Sequence, residues 1–504
     1  MKPPSGNVAE YHVENFGCRA SRSDGESIAA TLRQRGMEPA ADPSAARVVV
    51  VNTCSVTAEA DRQARAYMRR VRRQNPAARI LVTGCYAQRA PQELAALREV
   101  DAVVGNSHKG LVADVALRLA AAPPKPTRTA AQSLSPLDAQ SPYAQSLSPL
   151  DAQSSFVPLA TILRDDRFAH SELATLPFAA DSRQTRPNLK VQDGCGNRCS
   201  FCIIPTTRGH SRSIPLATCL DDVRRFVDRG GIELVLSGVN LGRWGRDLQT
   251  PRRFEDLVAA ILTETALPRL RLSSIEPMDW SPDLLALYRE FATGPHLRLA
   301  RHTHLPLQSG SDAILRRMHR RYRPWHYAER LAKIRDLLPA AAIGADVMIG
   351  FPGETDSLFA ESYRFIAAQP FTYLHLFPFS ARPATPAWEL HRQNPVPARA
   401  VQERMAALRS LIADQSRSFR EQFVGLSLSA VTVEPGAQPS TTEAVTDNFV
   451  KLTLDTAIPA NRLIEARVTG LTQEGLRGTH GVNKSRSTRT ASGPGLPASK
   501  FDER

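Results

Sequence analysis

The 504-residue chain has no run of about 18 consecutive apolar residues, so it has no segment able to cross a bilayer as a helix. Its first residues, MKPPSGNVAEYHVENFGC, lack the apolar core of a secretory signal and pass quickly into a strand-like stretch. These two absences predict a cytoplasmic protein with no membrane partner. Cysteine is scarce: Cys18, Cys54, Cys85, Cys195, Cys199, Cys202 and Cys219 are all there are. In a reducing compartment seven thiols are not expected to pair as structural disulfides, and metal ligation or catalysis becomes the default. Acidic residues are also short, 50 against 64 Lys and Arg, for a net charge of +14. Such an excess favours an anionic partner, most simply nucleic acid, although a merely basic and soluble surface reads the same way.

A hydrophobic fraction of 42% with 23% charged residues is ordinary for a soluble globular chain. This length exceeds one ordinary core, so roughly two to four domains are expected. Residues 8–121 alternate strand and helix signals, with YHVENFGC, RVVVVNTC, RILVTGC and DAVVGN as the strands. Apolar strands alternating with helices predict a parallel sheet covered on both faces. Three of these strands lead into Cys18, Cys54 and Cys85. In open α/β sheets ligands sit beyond the carboxyl ends of the strands, so three thiols from three strands can converge there. Three unrelated buried cysteines would be the plainer reading.

Residues 122–180 are expected to be a linker or insertion. AQSLSPLDAQS occurs there twice, from Ala131 and from Ala144, in a Pro- and Ser-rich context too poor in large apolar residues to build a solenoid. Alternation resumes over 181–420 with LKVQD, IELVLSGV, LRLSSIE, HLPLQ, IGADVMIGF and YLHLFPF. Six such units predict a partial parallel (β/α)6 barrel, with active residues at the strand carboxyl ends. A long helix is expected near 397–421. LSLSAVTV and FVKLTLD then alternate with period two, which predicts a small β-domain over 421–480. Residues 481–504 are polar and are expected to be a disordered tail.

Directly after LKVQD comes Cys195-Gly-Asn-Arg-Cys199-Ser-Phe-Cys202, spaced C-x3-C-x2-C. Three thiolates on one short loop can hold three irons of a [4Fe–4S] cube and leave the fourth open. Gly194 and Gly196 let the backbone turn tightly around that core. Zinc with a fourth ligand elsewhere is the alternative, but zinc sites usually use C-x2-C pairs and the chain has no second pair. Cys219 lies in a helix-like stretch and reads as an inert thiol.

The triad resembles that of radical S-adenosylmethionine enzymes. VQDGCGNRCSFCIIPTTRGHSRS, ELVLSGVNLGRWG, RLRLSSIEP, HTHLPLQSGSDAILRRMHRRY, DVMIGFPGET and LHLFPFSARPATPA together resemble the methylthiotransferase branch of that superfamily. The resemblance implies a three-cysteine N-terminal domain, a radical domain and a C-terminal TRAM-type β-barrel. It implies that Cys195, Cys199 and Cys202 hold the cluster that binds S-adenosylmethionine, and that Cys18, Cys54 and Cys85, in FGCRAS, VNTCSVT and VTGCYAQ, hold a second, sulfur-carrying [4Fe–4S] cluster. Two S-adenosylmethionine molecules per turnover, an external electron donor and a sulfur source are implied as well. Two positions depart from the family pattern: Ser21 replaces the usual Asn, which bears on a supporting contact, and Ala384 replaces the usual Gly.

Within the branch, VQDGC, RLSSIEP and FPFSARPATPA look most like the enzymes that convert N6-threonylcarbamoyladenosine in tRNA to its 2-methylthio derivative. Siblings act on isopentenyladenosine in tRNA or on an aspartate of a ribosomal protein, and a non-enzymic, metal-containing RNA-binding protein is the alternative of another class. Gly238, Asn240, Gln308, Ser309, Gly350 and Gly353 match cofactor-binding segments, each following a predicted strand. Arg62, Arg65, Arg69 and Arg72 recur at helical spacing, and Arg316, Arg317, Arg320, Arg321 and Arg323 cluster. Both groups are candidates for phosphate contacts, and a solvated helix face is the alternative. The TRAM resemblance implies RNA binding, with Asn448 and Phe449 in its most module-like stretch.

Overall fold

The computed structural model describes residues 9–123, 161–165, 168, 185–293, 297–435 and 440–480. The two AQSLSPLDAQS copies, most of the expected insertion and the 481–504 tail lie outside the described residues.

The first unit is a six-stranded sheet of β1 (Glu10–Asn15), β2 (Glu38–Pro39), β3 (Val48–Thr53), β4 (Arg79–Gly84), β5 (Ala102–Gly105) and β6 (Thr161–Leu163). All its strands run parallel, in the order β2-β1-β3-β4-β5-β6. Helices α1 (Arg19–Gln34), α2 (Ala58–Gln74), α3 (Cys85–Arg89), α4 (Pro91–Ala95) and α5 (Val112–Ala121) cover it. The run VVVV explains the layering, because successive side chains leave a strand on opposite faces. Val48 and Val50 pack with Ile28 and Leu32 of α1 and with α5, whereas Val49 and Val51 pack with Tyr67, Met68 and Val71 of α2.

The second unit carries β7 (Asn188–Asp193), β8 (Arg212–Ser213), β9 (Glu233–Gly238), β10 (Arg269–Leu272), β11 (His302–His304), β12 (Ala342–Ile349) and β13 (Tyr373–Pro378). Its helices are α6 (Ile204–Arg208), α7 (Leu216–Asp228), α8 (Phe254–Glu264), α9 (Pro282–Phe291), α10 (Asp312–Arg317), α11 (Pro324–Leu337), α12 (Asp356–Ala367), α13 (Pro386–Gln393) and α14 (Ala398–Glu421). Strands β7, β9 and β10 pair in parallel, as do β11, β12 and β13, and a parallel bridge from Leu270 to Leu299 links the two groups. The six expected units therefore form the open barrel. One strand differs: β11 stops at His304 instead of running through HLPLQ. Pro306 has no N–H to donate to the ladder; past it the Leu307 and Gln308 N–H groups both turn to Asp346 O, and only an isolated parallel bridge forms, Gln308 opposite Val347.

The third unit is a closed barrel of β14 (Ser427–Pro435), β15 (Thr442–Thr446), β16 (Lys451–Leu454), β17 (Leu463–Leu471) and β18 (Leu476–Thr479), in the order β14-β15-β16-β18-β17. No helix among the described residues is long and apolar enough to cross a membrane.

Candidate active site

Cys195, Cys199 and Cys202 lie on the loop that leaves β7. Gly194 begins it at φ +74°, where a Cβ would stand 1.9 Å from the His210 carbonyl, so only glycine fits. The Cys195 N–H donates to Gly209 O at 3.0 Å, and the Ser200 hydroxyl donates to Arg317 O at 2.7 Å. Two sulfurs receive side-chain donors: Asn240 Nδ2 reaches Cys195 Sγ and Arg320 Nη1 reaches Cys199 Sγ, each at 3.4 Å. Arg320 is itself buried and paired with Glu276. Burial pushes the Cys202 thiol up to about 12, and the neighbouring Cys199 and Cys195 sulfurs add to the shift.

The other three cysteines meet at the carboxyl ends of β1, β3 and β4. Cys18 caps α1, Cys54 follows β3 directly and Cys85 opens α3. Gly17, at φ +106°, lies so close that a Cβ there would sit 2.8 Å from Cys54 Sγ. Burial, then Cys85 and Cys18, pushes the Cys54 thiol up to about 12. Asn106 Nδ2 donates to Cys85 Sγ at 3.4 Å, and the Ser21 hydroxyl lies 3.7 Å from Cys18 Sγ. Within each set of three the sulfurs act electrostatically on one another, a soft donor set that suits iron–sulfur groups. Cys219 joins neither; it is buried in the hydrophobic core, its sulfur turned to Ile214 O.

Inside the second unit's barrel, rings gather against the Phe449 loop. His302 stacks 4.3 Å from Phe449, His304 lies 5.2 Å from His375, and Tyr373 adjoins all four. The ligand-bearing atoms of His304, Asp346 and His375 come within 4.8 Å of one another. Burial pushes the His304 imidazole down to about 4, so it is neutral at pH 7. Arg19, the residue after Cys18, acts electrostatically on Tyr373, His302 and His304, which places it at this chamber. It is exposed there and has no hydrogen bond or ion pair among the described residues.

The predicted cofactor residues are placed unevenly. Asn240 Oδ1 and Gln308 Oε1 are buried without a hydrogen-bond partner among the described residues. Gly238 packs against Gln192, and the Gly350 N–H is taken by Glu354 at 2.8 Å. The Ser309 hydroxyl is engaged by Ser311 N–H and Ser362, and Gly353 abuts Arg317.

Two expectations need correction. The arginine rows are free surfaces only in part. Arg65 turns to Tyr86 and Glu93, Arg72 to Asp101, and Arg62 to Glu59. In the second group Arg320 serves Cys199, Arg316 and Arg323 pair with Asp312, and Arg317 donates to Gly353 O. Partners brought up by the fold claim Arg65, Arg72 and Arg320, whereas Arg62 and Arg316 pair within their own helices and, with Arg69, Arg317 and Arg321, stay exposed. Asn448 and Phe449, the module-like stretch, face the second unit: Asn448 donates to Ala340 O at 3.2 Å, and Phe449 lies against His302 and under Arg271.

Residues 10–105 match the family described as Uncharacterized protein family UPF0004, and residues 189–366 match the Radical SAM superfamily. The threonylcarbamoyladenosine tRNA methylthiotransferase MtaB of Aquifex aeolicus is 31% identical over 439 residues, covering 87% of this chain and 95% of that protein. The chain belongs to the radical SAM methylthiotransferase family. As a member of that family it is an enzyme that uses S-adenosylmethionine and a [4Fe–4S] cluster. The Bacillus subtilis protein of the same name is 32% identical and covers 88% of this chain and 90% of its own length, and the branch is the MtaB one. The tRNA-2-methylthio-N(6)-dimethylallyladenosine synthase of Novosphingobium aromaticivorans is 30% identical, covering 87% and 89%. In fold, this methylthiotransferase is similar to the radical S-adenosylmethionine methyltransferase TsrM of Kitasatospora setae, with TM-score 0.50, 14% identity, and 77% and 76% of the two chains covered.

Sequence reasoning missed Asn106, Arg19, Arg208 and the His304–Asp346–His375 group as site residues, and gave Arg320 the wrong partner. His304, Asp346 and His375 stand in quoted motifs, so a signal was present. Arg19, Arg208 and Asn106 likewise stand in the quoted stretches FGCRAS, VQDGCGNRCSFCIIPTTRGHSRS and DAVVGN, but nothing in their spacing gave their partners.

Proposed function

We propose that this chain replaces the C2 hydrogen of N6-threonylcarbamoyladenosine, next to the anticodon of tRNA, with a methylthio group. Cys195, Cys199 and Cys202 hold the radical cluster, and Cys18, Cys54 and Cys85 hold a second one. When bound, these groups and S-adenosylmethionine supply the electron, the radical and the sulfur. The observation that carries the reading is the pair of three-thiol sets at strand carboxyl ends, with Arg19 tying the Cys18 side to the barrel chamber.

The chain's own residues position and select. Asn240 and Arg320 orient two of the thiolates by hydrogen bonds. Asn240 Oδ1 and Gln308 Oε1, buried and unsatisfied, are the acceptors for the amino and hydroxyl groups of S-adenosylmethionine. Gly238, Ser309, Gly350 and Gly353 shape the strand ends around it. The threonylcarbamoyl group carries a carboxylate, and Arg19 is a cation at this chamber without a partner among the described residues; an apolar isopentenyl group would leave it unpaired. The chain is organised for this work as a sulfur-carrying unit over 8–121, a radical unit over 181–420 and an RNA-assisting barrel over 421–480.

Mass spectrometry of tRNA nucleosides from a strain lacking the chain tests the substrate. The 2-methylthio derivative of threonylcarbamoyladenosine should disappear, and an unchanged level overturns the reading. Loss of the isopentenyl derivative instead would assign the sibling reaction. Arg19→Gln should preserve reductive cleavage of S-adenosylmethionine but lower methylthiolation of the tRNA at least about tenfold, the scale of one charged hydrogen bond.

A further inference from the structure

Where the two units meet, five charged side chains gather, four of them buried and Lys190 nearly so. Asp24 and Lys109 come from the first unit, and Lys190, Asp193 and Arg208 from the second. Arg208 Nη1 reaches Asp24 Oδ2 at 3.0 Å and Asp193 Oδ1 at 2.9 Å, and Lys109 Nζ reaches Asp193 Oδ2 at 2.5 Å. Lys190 binds both carboxylates. Burial by itself would raise the Asp193 carboxyl, yet Arg208, Lys109 and Lys190 hold it well below the usual carboxylate range, so both acids are ionised. Three cations against two carboxylates leave one positive charge. An uncompensated buried charge is costly unless an anion lies beside it.

The anion on offer is the N-terminal thiol set. Arg208 Nη2 donates to Ser21 Oγ at 3.1 Å, which lies 3.7 Å from Cys18 Sγ. The residue before Arg208 is tied to the same site, since Asn106 Nδ2 spans Cys85 Sγ at 3.4 Å and Thr207 O at 2.9 Å. The residue after it is tied to the other site: Gly209 O accepts the Cys195 N–H at 3.0 Å. Asp193, the carboxylate partner, also accepts the Gly194 N–H at 2.8 Å. Three consecutive residues, Thr207 to Gly209, thus join both cysteine sets.

We propose that Arg208, a residue of the radical unit, is the counter-charge of the N-terminal three-thiol site and raises the reduction potential of the iron–sulfur group bound there. The inference rests on reading Cys18, Cys54 and Cys85 as iron ligands. Potentials of such groups follow net charge and hydrogen bonds to sulfur, and a fixed cation favours the more negative, reduced form. Inside the protein, salt screens that effect little. Arg208 is a positioning residue that acts through the cysteines.

The test uses the full-length chain with Cys195, Cys199 and Cys202 all changed to Ala, reconstituted with iron and sulfide without oxygen. Iron content and a redox titration followed by electron paramagnetic resonance are the readouts. Arg208→Gln should move the midpoint to more negative potential. At fixed poise the reduced-to-oxidised ratio should fall about tenfold, or about 59 mV for one electron. Asp24→Asn, which adds net positive charge, should move it the opposite way, and Arg208→Lys should stay near the parent. Iron-loaded variants whose midpoints are unmoved, or all move in one direction, would overturn the proposal and leave the site reading standing. A parent that takes up no iron, while the intact chain does, overturns the site reading and this inference with it. Should Arg208→Gln fail to take up iron, the other two variants decide: a positive shift for Asn with no shift for Lys supports it, and any other pattern refutes it.

Discussion

Cys195, Cys199 and Cys202 fall within one short loop, so their grouping needs no tertiary contact. The donors to their sulfurs do: Asn240 follows β9 and Arg320 follows α10. Spacing could show the ligands but not who orients them. Ala384 is the converse case, a departure visible in sequence whose meaning is conformational. Its φ of +65° is left-handed backbone, where the usual glycine is free and alanine is strained. Ala384→Gly is expected to raise the unfolding free energy by about 1 kcal/mol, read from a urea midpoint shift. The cysteines separate by role. Cys199→Ala should abolish reductive cleavage of S-adenosylmethionine, and retained cleavage contradicts its assignment. Cys54→Ala should keep that cleavage but yield no methylthiolated nucleoside; unaltered product would refute the division of labour.

At the scale of elements, the continuous apolar runs VVVV, ILV and LVL announced the buried strands because each face of a parallel strand meets a helix. Which cation meets which anion was not legible, since the partners of Arg65, Arg72 and Arg320 lie on other elements. The same holds for the C-terminal barrel. Its strand pattern was readable, but its docking depends on Arg271, which is wholly buried, pairs with Glu233 at 2.8 Å and donates to Thr446 O and Asp447 O at 3.0 and 3.1 Å. Phe449 fills the joint. Phe449→Ala should lower stability by about 2 kcal/mol, less than a fully buried phenylalanine would, with faster proteolysis between the second and third units. An unchanged melting temperature would show that the ring does not secure the joint.

For the whole molecule, the buried imidazoles predict acid sensitivity. His304 is held down to about 4 from an ordinary 6.5, mainly by burial, and His302 is held well below its ordinary value for the same reason. The unfolded chain therefore binds more protons than the folded one between these values, so stability rises with pH across that window and falls on acidification through it. His304 contributes up to about 3 kcal/mol of that loss. Asp24, held near 2, adds its share only below about pH 4. Urea midpoints at pH 7 and pH 5 check this: equal midpoints would contradict neutral buried histidines. Sequence alone determined the three-part order, the strand runs and the grouping of Cys195, Cys199 and Cys202. Those are properties of local spacing, periodicity and chain order. Only the folded molecule decided that Arg208 lies between both cysteine groups, that Arg19 has no counter-ion among the described residues, and that the module-like loop turns inward. Those depend on which distant residues share a buried space, and burial sets the strength of a charge or a hydrogen bond.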